Sequence, residues 1–295
     1  MANARALDKR RKSIKNIRKI TRTMELIATA RFKKAMDRAA AASAYTDRIT
    51  KLVGDLAACG LEVSHPLMEA RAHTGRSILL VLTSNRGFCG GYNGNVIRLA
   101  QRRWGALKNE SDERELEVSG KRGIRAFAYA GVPITQEFTQ FEDKTTYDEI
   151  ELLANRYLAE FAAGALDRFD VAYMKFQSSA RQIPVVETLL PFQSLVAGQS
   201  EATDATSGVS MYEFQPSPES ILEEVVPASF KVKLFNCFLD AAVGEQVARM
   251  VAMKSATENA GDLIRQLSTQ YNRARQSQIT GEIMEIIGGV EALSA

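Results

Sequence analysis

Both ends of this 295-residue chain are long segments that favour an α-helix. Residues 5–59 contain no proline and a single glycine, Gly54, and they are rich in alanine, lysine and arginine. A helix over this segment would be about 80 Å long, and one over the proline-free residues 228–290 about 95 Å. Helices of this length exceed what an ordinary globular domain covers, so we expect the two to pack as an antiparallel coiled coil. Pro218 and Pro227 would then lie at helix starts, where proline is tolerated.

Apolar and small residues repeat at heptad spacing in both segments, as a coiled-coil seam requires. The first column of the N-terminal segment is Leu7, Ile14, Thr21, Ala28, Ala35, Ala42, Ile49 and Leu56. Its companion column is Ile17, Met24, Tyr45, Leu52 and Cys59, interrupted by Arg10, Arg31 and Arg38. The C-terminal seam is formed by Leu234, Phe238, Ala241, Ala248, Ala252, Ser255, Leu263, Leu267, Ala274, Met284 and Ile287. Both seams are rich in alanine, which would let the helices approach closely.

The middle of the chain alternates strand and helix patterns, which indicates βαβ units and a largely parallel sheet. The predicted strands are 76–83, 116–118, 134–138, 171–176 and 185–190, and the predicted helices are 93–104, 121–130 and 147–163. We therefore predict an α/β protein in which a long antiparallel two-helix coiled coil of the N- and C-terminal helices accompanies a central Rossmann-like α/β domain. The expected domains are an N-terminal coiled-coil helix (1–60), a connector (61–75), the α/β domain (76–216) and a C-terminal coiled-coil helix (217–295).

Charge is distributed unevenly along the chain. The whole sequence has a formal net charge of +3, but residues 1–51 carry +11 and the remainder −8. A basic arm of this kind suits either nucleic acid or an acidic protein partner. Its cations are spread round the predicted helix, and Phe32 and Tyr45 are its only aromatic residues. We therefore favour a solvated coiled-coil face or an acidic protein partner over nucleic acid.

Several classes of protein are disfavoured by residue usage. No apolar run approaches the roughly 20 residues of a spanning helix, and no secretory signal pattern follows Met1. The three cysteines, Cys59, Cys89 and Cys237, are far apart and form no C-x-x-C, which argues against a disulfide framework or a zinc cluster and favours a reducing cytosol. The only histidines are His65 and His73, so a histidine-based catalytic site is difficult to build. We predict neither a metal site nor a cofactor.

The glycine-rich segment 85–95 follows a predicted strand and precedes a helix, which is where nucleotide-binding loops lie. Its glycines, Gly87, Gly90, Gly91 and Gly94, match neither G-x-G-x-x-G nor a Walker A loop. A tight strand-to-helix turn is the favoured interpretation, with a nucleotide site as the alternative. Cys89 within it has no neighbouring histidine and is expected to be packed.

The end of the C-terminal helix is more apolar than one seam requires. Residues 283–290 (IMEIIGGV) predict an exposed apolar helix end, which usually fits a socket in another protein. A polar cluster precedes it, consisting of Arg275, Gln276, Gln278, Thr280 and Glu282. This cluster is either a solvated face or a set of contacts to a partner, since arginine can bind a carboxylate through two hydrogen bonds.

Three segments resemble the gamma subunits of F-type ATP synthases. Residues 248–289 are similar to the C-terminal helix of that family, residues 14–35 to its first helix, and residues 85–96 (NRGFCGGYNGNV) to its central loop. The match over 248–289 is long and specific, whereas the central one is weak by itself. The three segments together extend the resemblance to both ends and the middle of the chain.

The resemblance implies a non-catalytic rotor. The two long helices would form the central shaft inside a ring of alpha and beta subunits. The α/β domain would contact the epsilon subunit and the membrane-embedded c-ring, so the chain would be peripheral to the membrane. Rotation driven by proton flow would cycle the three beta-subunit sites through ATP synthesis. Neither a cofactor nor a nucleic-acid partner is implied.

The resemblance also assigns residues. Contacts to beta subunits would be made by Met24, Arg249, Arg275, Gln276, Thr280 and Glu282. Arg275 and Gln276 match the pair that meets the beta catch loop, and Met24 matches the methionine beside the acidic lever segment of beta. An apolar bearing tip would comprise Ile283, Ile286, Ile287 and Val290, and a foot on the c-ring and epsilon would comprise Met211, Tyr212 and Glu213 within 211–215.

Two further expectations concern location and helix continuity. Because no transit peptide is evident, we expect the cytoplasmic face of a bacterial inner membrane. The cysteine-bearing regulatory insert of chloroplast members is not evident either. Gly281 is a poor helix former inside the contact region, which leaves the helix there in question.

Overall fold

The computed structural model describes residues 4–58, 66–68, 74–141, 145–192 and 218–294, with side chains omitted at 43–58, 218–222, 291 and 294. The helices are α1 (Ala4–Ala58), α2 (Tyr92–Glu110), α3 (Lys121–Tyr129), α4 (Tyr147–Ala162) and α5 (Pro218–Ser294). The strands are β1 (Arg76–Leu82), β2 (Glu113–Ser119), β3 (Gln136–Phe138), β4 (Arg168–Ser178) and β5 (Arg181–Leu190). The predicted order of strands and helices is confirmed, with ends that differ by a few residues. No helix in these ranges is long and apolar enough to cross a membrane.

The two terminal helices have 55 and 77 residues, and both predicted helices are confirmed. Helix α5 also runs unbroken through Gly281. The expectation that Pro227 marks a helix start is wrong, because α5 begins at Pro218 and Pro227 lies inside it. An internal proline costs a hydrogen bond, about 3 kcal/mol. Burial of the neighbouring Val226 and Phe230 in the core offsets that cost.

The five strands form one sheet in the order β3-β2-β1-β4-β5. The first four are parallel, as predicted, whereas β5 pairs antiparallel with β4. The reason is the short connection through Ser179 and Ala180, since a parallel pairing needs a long crossover.

Alternate residues of β1 face opposite sides of the sheet. Ile78 and Leu80 pack with α4 and the first part of α5, and Leu79 and Val81 pack with α2 and α3. Both layers of the α/β core therefore rest on the central strand.

The chain divides into two compact units. We call residues 30–248 the α/β unit, and residues 1–29 with 249–295 the two-helix unit. Within the α/β unit, Ala35 of α1 packs against Val243 and Val247 of α5 in a small apolar cluster. The two helices are therefore neighbours there, and Phe32 and Phe176 border the cluster.

Within the two-helix unit, α1 and α5 run antiparallel. The Thr257 hydroxyl donates a hydrogen bond to Thr21 Oγ1 (2.9 Å), and the Arg11 guanidinium lies 4.6 Å from the Tyr271 ring centroid. Residue numbers thus rise along one helix as they fall along the other. The predicted first column is confirmed for this unit: Thr21 and Ala28 are buried, and Leu7 and Ile14 are half-buried.

The predicted companion column is wrong at Ile17, which is 45% exposed. Four residues predicted for the seam of α5 are exposed as well: Ser255, Leu263, Met284 and Ile287. Arg11 and Glu25 occupy seam positions instead. A search for apolar residues overlooks these two because a long polar side chain can bury its stem in a seam. On α5 the inward positions are Met253, Thr257, Ala260, Ile264, Leu267, Tyr271 and Ala274.

Candidate functional site

Helix α5 continues well past its pairing with α1. The Thr21–Thr257 and Arg11–Tyr271 contacts place Ala4, where α1 begins, level with residues 274–278 of α5. The remaining residues up to Ser294 would extend about 25 Å further as a single helix. Every residue of 275–290 is exposed, although most helices in a folded protein bury one face.

The exposed helix end is apolar on one face. Ile283, Ile286, Ile287 and Val290 are between 50% and 67% exposed, and Met284 and Leu293 add to the apolar surface. The structure thus brings together the four residues predicted for a bearing tip. A cluster of exposed large apolar side chains of this kind marks an interaction site.

The polar residues predicted to contact a partner lie on the turns just before this tip. Arg275, Gln276, Thr280 and Glu282 are all exposed, and Gln278 donates a hydrogen bond to Glu282 (2.9 Å). Gln276, Thr280, Ile283 and Ile287 follow one another at spacings of four, three and four residues. They therefore lie on one face of the helix, and the polar set continues directly into the apolar tip.

Met24 and Arg249 belong to the two-helix unit but are not level with each other. The pairing of Thr21 with Thr257 places Met24 level with Lys254, about 8 Å along the axis from Arg249. Met24 is half-buried, whereas Arg249 is buried with 7% exposed. Met24 can therefore meet a partner directly, whereas most of the Arg249 side chain is already covered within the chain.

A basic groove runs between the helices of the two-helix unit. It has a volume of about 1380 Å³ and is lined on the α1 side by Lys15, Arg18, Lys19, Arg22 and Thr23. The α5 side is formed by Thr257, Glu258, Gly261, Asp262, Ile264 and Arg265. Within this set Arg265 pairs with Asp262, and Arg22 pairs with Glu25 beside the groove (2.7 Å).

Sequence reasoning missed this groove because it treated the cations as spread evenly round the helix. The spacing of Lys15, Arg18, Lys19 and Arg22, at three, four and seven residues from the first, already indicates a single face. Nearer the N-terminus, hydrogen bonds from Lys12 and Arg11 lower the pKa of Asp8, so that carboxylate stays ionised among cations. The groove itself presents an electrostatic surface that suits an anionic partner.

The glycine-rich loop forms a tight turn, as favoured from the sequence. Cys89 is buried, and Asn93 donates a hydrogen bond to its sulfur (3.1 Å). In doubly wound folds a ligand occupies the crevice at the carboxyl ends of the strands. Here α5 covers that edge: Tyr92 donates a hydrogen bond to the Ala241 carbonyl (3.1 Å), and Gly244 packs against Met174. The loop therefore serves to seat α5 on the sheet.

Some predicted residues cannot be placed. Met211, Tyr212 and Glu213 of the predicted foot lie outside the described residues, as do His65, His73 and Cys59. Among the residues that are described, no group of three or more histidine, cysteine, aspartate or glutamate residues is arranged to hold a metal ion.

Known proteins are similar in sequence to this chain over nearly its whole length. A sequence-family model described as ATP synthase matches residues 3–293. The ATP synthase gamma chain of Rhodopirellula baltica is 62% identical over 294 residues, covering 99% of both chains. That of Leptospira biflexa is 36% identical over 294 residues and covers 100% of both chains.

Solved structures share the fold. A chain of the Euglena gracilis mitochondrial ATP synthase, in a complex described as OSCP/F1/c-ring, superposes with a TM-score of 0.66 at 17% identity. The match covers 98% of this chain and 94% of that one. A chain of the rotor of the same enzyme gives 0.63 over 94% of this chain and 98% of that one. With the family match over nearly every residue and relatives matched end to end, the chain belongs to the ATP synthase gamma chain family.

Proposed function

We propose that this gamma chain is the central shaft of a rotary F-type ATP synthase, where it couples proton flow through the membrane sector to ATP synthesis in a ring of alpha and beta subunits. As a gamma chain it is a non-catalytic subunit, and catalysis takes place in the beta subunits. The observation that carries the proposal is the unaccompanied end of α5, in which every residue of 275–290 is exposed. Such a helix needs a surrounding protein to cover its apolar side chains.

The ring would contact the shaft at two levels. At the upper level, Arg275 and Gln276 would bind the beta catch loop, with Thr280 and Glu282 in the same contact region. All four are exposed, and an arginine can bind a carboxylate through two hydrogen bonds. Beyond them Ile283, Ile286, Ile287 and Val290 would turn in an apolar bearing. Apolar contacts are non-directional, so they suit a surface that slides during rotation.

At the lower level, the half-buried Met24 would meet the acidic lever segment of beta, with Arg249 packed in the same part of the shaft. The basic groove of Lys15, Arg18, Lys19 and Arg22 lies on another face of α1, about half a turn from Met24, and offers an acidic segment of the ring a second contact at nearly the same height. The groove assigns four of the fifteen lysine and arginine residues of 1–51 to a protein partner instead of nucleic acid.

The foot would be formed by Met211, Tyr212 and Glu213, which would contact the c-ring and the epsilon subunit. The similar Euglena gracilis chains come from a rotor and from an OSCP/F1/c-ring complex, and we transfer a place in a rotor beside a c-ring to this chain as a proposal. The subunit would be peripheral, at the cytoplasmic face of a bacterial inner membrane.

Rotation would act by population shift. A shaft whose faces differ makes different contacts with each beta conformer, so its angle favours a different conformer at each position. Its basic groove and its apolar and polar faces supply such differences. Coupling then requires only that these contacts change with angle, and the shaft needs no chemistry of its own.

Reconstitution tests the proposal. The full chain is mixed with purified alpha and beta subunits of its own source, and assembly and ATPase activity are measured. We expect a stable complex whose ATPase activity exceeds that of alpha and beta alone. Failure to join any alpha–beta ring, or tight salt-dependent binding to duplex DNA instead, would contradict the assignment.

Replacing Arg275 and Gln276 together by alanine is expected to lower ATP-synthesis turnover about tenfold or more, because charge-assisted contacts to the catch loop are lost. Both residues are exposed, so the thermal unfolding midpoint of the isolated chain should stay within about 2 °C of the original. Turnover is measured in membrane vesicles carrying the assembled enzyme.

Arg273→Ala is the matched control for this pair. Arg273 is an exposed arginine of the same helix, but it precedes Arg275 by two residues and so points to a nearly opposite side. It should leave turnover unchanged. Equal turnover in the double variant and the control would remove Arg275 and Gln276 from the coupling contact.

Met24→Lys is expected to strengthen the contact between the shaft and an acidic beta segment and so to raise the activation energy of turnover. A half-buried position allows the long lysine stem to reach the surface. The slope of an Arrhenius plot of steady-state ATPase activity measures the effect. Ile17→Lys, one heptad earlier and 45% exposed, adds the same charge away from the proposed contact. An activation energy no different from that control would count against the contact.

A further inference from the structure

The basic groove of the two-helix unit holds more positive charge than the fold uses. Five lysine and arginine side chains line it against two carboxylates, which gives the lining a net charge of +3. Arg265 pairs with Asp262 there, but Lys15, Arg18 and Lys19 take part in no ion pair within the described part of the chain. Like charges three and four residues apart destabilise a helix. Folding alone therefore does not account for this cluster of cations.

The opposite wall of the basic groove contains a glycine inside α5. The Arg18 guanidinium lies beside Gly261, and a Cβ atom added to this glycine would come no closer than 3.7 Å to it. Alanine would therefore fit here in ordinary van der Waals contact, and it would stabilise the helix relative to glycine. Since the packing of the two helices does not require Gly261, its effect is to keep the groove wide next to Arg18.

The cations of the α1 wall form a row, which consists of Lys15, Arg18, Lys19 and Arg22. They are separated by three, one and three residues, so they share one face of the helix and extend about 10 Å along its axis. Arginine binds two oxygens of a phosphate at once, and lysine attracts phosphate as a compact charge. A chain of linked phosphates can contact this row along its length, whereas a single phosphate reaches only part of it.

We propose that the basic groove is a binding site for an oligophosphate, either an inorganic one or the phosphate chain of a nucleotide. Lys15, Arg18 and Lys19 contact the phosphates, and Ile264 on the α5 wall offers apolar surface to a ligand that carries a base. The volume of about 1380 Å³ is ample, since small-ligand sites occupy roughly 300–1,000 Å³. The inference goes beyond the proposed function, because the site lies within this chain and needs no other subunit.

Nucleic acid fits the basic groove less well than a short phosphate chain does. Glu258 and Asp262 are exposed on the α5 wall, where they repel the backbone of a duplex that lies across both helices. Single-stranded nucleic acid is bound by stacking aromatic residues, and none of the described residues that line the groove is aromatic. A short oligophosphate can lie along the α1 wall, away from the two carboxylates.

Titration calorimetry of the full chain tests the site. Inorganic tripolyphosphate, ATP and inorganic phosphate are titrated separately at about 0.15 M salt, where attraction between distant surface charges is screened. We expect one tripolyphosphate per chain, with a Kd at least tenfold lower than that for phosphate. A lower Kd for ATP than for tripolyphosphate would identify a nucleotide as the ligand, and the reverse order an inorganic oligophosphate. Binding of neither, equal Kd values for tripolyphosphate and phosphate, or binding of duplex DNA alone would overturn the inference.

Removal of charge locates the site on the α1 wall. Lys15→Gln with Lys19→Gln should raise the Kd for tripolyphosphate about tenfold or more, because two contacts are lost. Lys9→Gln with Lys33→Gln is the matched control, since it removes the same charge from exposed positions of α1 outside the groove. The control should change the Kd less than twofold. Equal weakening in the two double variants would show diffuse attraction to a basic helix and would overturn the inference.

Gly261→Leu tests the shape of the groove without changing its charge. Leucine favours a helix over glycine, so the thermal unfolding midpoint should not fall by more than about 2 °C, while the Kd for tripolyphosphate should rise about tenfold. Gly281→Leu, at an exposed glycine of the same helix outside the groove, should leave the Kd unchanged. Equal Kd values in these two variants would exclude the groove as the site. Such a failure leaves the proposed function standing, and failure to assemble with alpha and beta subunits leaves the measured binding standing.

Discussion

Gly120→Ala is expected to lower the free energy of unfolding of the α/β unit by about 4 kcal/mol, a loss large enough to leave a marginally stable domain mostly unfolded. A Cβ atom at this position would lie 2.1 Å from the Thr83 carbonyl oxygen. The φ angle of Gly120 is also 99°, which a residue with a side chain rarely adopts. Strain in the backbone and the steric clash each contribute about 1–3 kcal/mol.

The clash cannot be relieved by a small shift of Thr83. Its N–H donates to the Ser119 carbonyl (2.8 Å), and its hydroxyl donates to the same carbonyl (2.7 Å). The Gly123 N–H in turn donates to Thr83 Oγ1 (2.9 Å). Moving Thr83 would therefore break the pairing of β1 with β2 and the seat of α3 together.

Two other glycines serve as controls for the Gly120 variant. Gly131 has a φ of 68° but open space around its missing Cβ, so Gly131→Ala measures the backbone term alone, about 1–2 kcal/mol. Gly105 lies in α2, and a Cβ atom added there would meet no neighbouring atom within 4 Å. Gly105→Ala should therefore raise the free energy of unfolding by about 0.5–1 kcal/mol. Urea unfolding monitored by circular dichroism gives all three values. A cost for Gly120→Ala equal to that for Gly131→Ala would show that the clash with Thr83 is not real.

The alternation of strands and helices in the α/β unit could be predicted from the sequence because buried strands and amphipathic helices have strong local patterns. The eight residues of 76–83 include five consecutive apolar ones, and β1 proved to be the central strand. The local sequence favours a helix start at Pro227, but burial of Val226 and Phe230 keeps the helix continuous through it. Both residues are buried against the sheet, and the sequence around Pro227 does not show that contact.

The coiled-coil seam shows a second limit of prediction from the sequence. Heptad counting found the column through Thr21 and Ala28, yet it assigned Ile17 to the interior and passed over Arg11. Arg11 is placed by its contact with Tyr271, a residue 260 positions away in the chain. A polar side chain in a seam is predictable only once the partner helix and its register are known.

The helix end was easier to predict than the rest of the site. The apolar residues of 283–290 exceed what one seam can bury, so their exposure follows from the count alone. The basic groove could have been found from the spacing of its cations on α1. Its other wall comes from α5, including Thr257 and Asp262, and its prediction requires the register of the antiparallel pairing, which the sequence pattern does not supply.

A half-buried carboxyl group of α5, beside the β4–β5 hairpin, makes the stability of the α/β unit depend on pH. Burial raises the pKa of Asp240 to about 6, although the Phe176 backbone and Lys175 favour its ionised form. The nearby cations are committed to another carboxylate: Lys175 lies 2.7 Å and Lys233 3.4 Å from Glu187. Burial opposes ionisation of Glu187 as well, yet the Lys175 hydrogen bond and the charge of Lys233 lower its pKa.

The remaining groups near Asp240 do not titrate in the same range. Burial raises the pKa of Cys237 to about 12, and burial also raises the pKa of Tyr173. A group whose pKa is raised on folding binds its proton more tightly in the folded state. Its contribution is therefore most favourable below the unfolded pKa of about 3.9 and is lost as the pH rises through about 6. Above that pH the folded protein carries the full cost of an ionised, partly desolvated Asp240.

Asp240→Asn removes this cost, so we expect it to stabilise the α/β unit by an amount that grows with pH. The gain should rise by about 2 kcal/mol between pH 4.5 and pH 8, following the difference between the folded and unfolded pKa values. Urea unfolding of both proteins across this range measures it, and any offset from the amide group cancels because it does not vary with pH. Glu224→Gln, an exposed carboxylate of the same helix, should show no such rise. A difference between Asp240→Asn and the original chain that stays constant from pH 4.5 to pH 8 would mean that Asp240 is ionised as readily in the folded state as in the unfolded one.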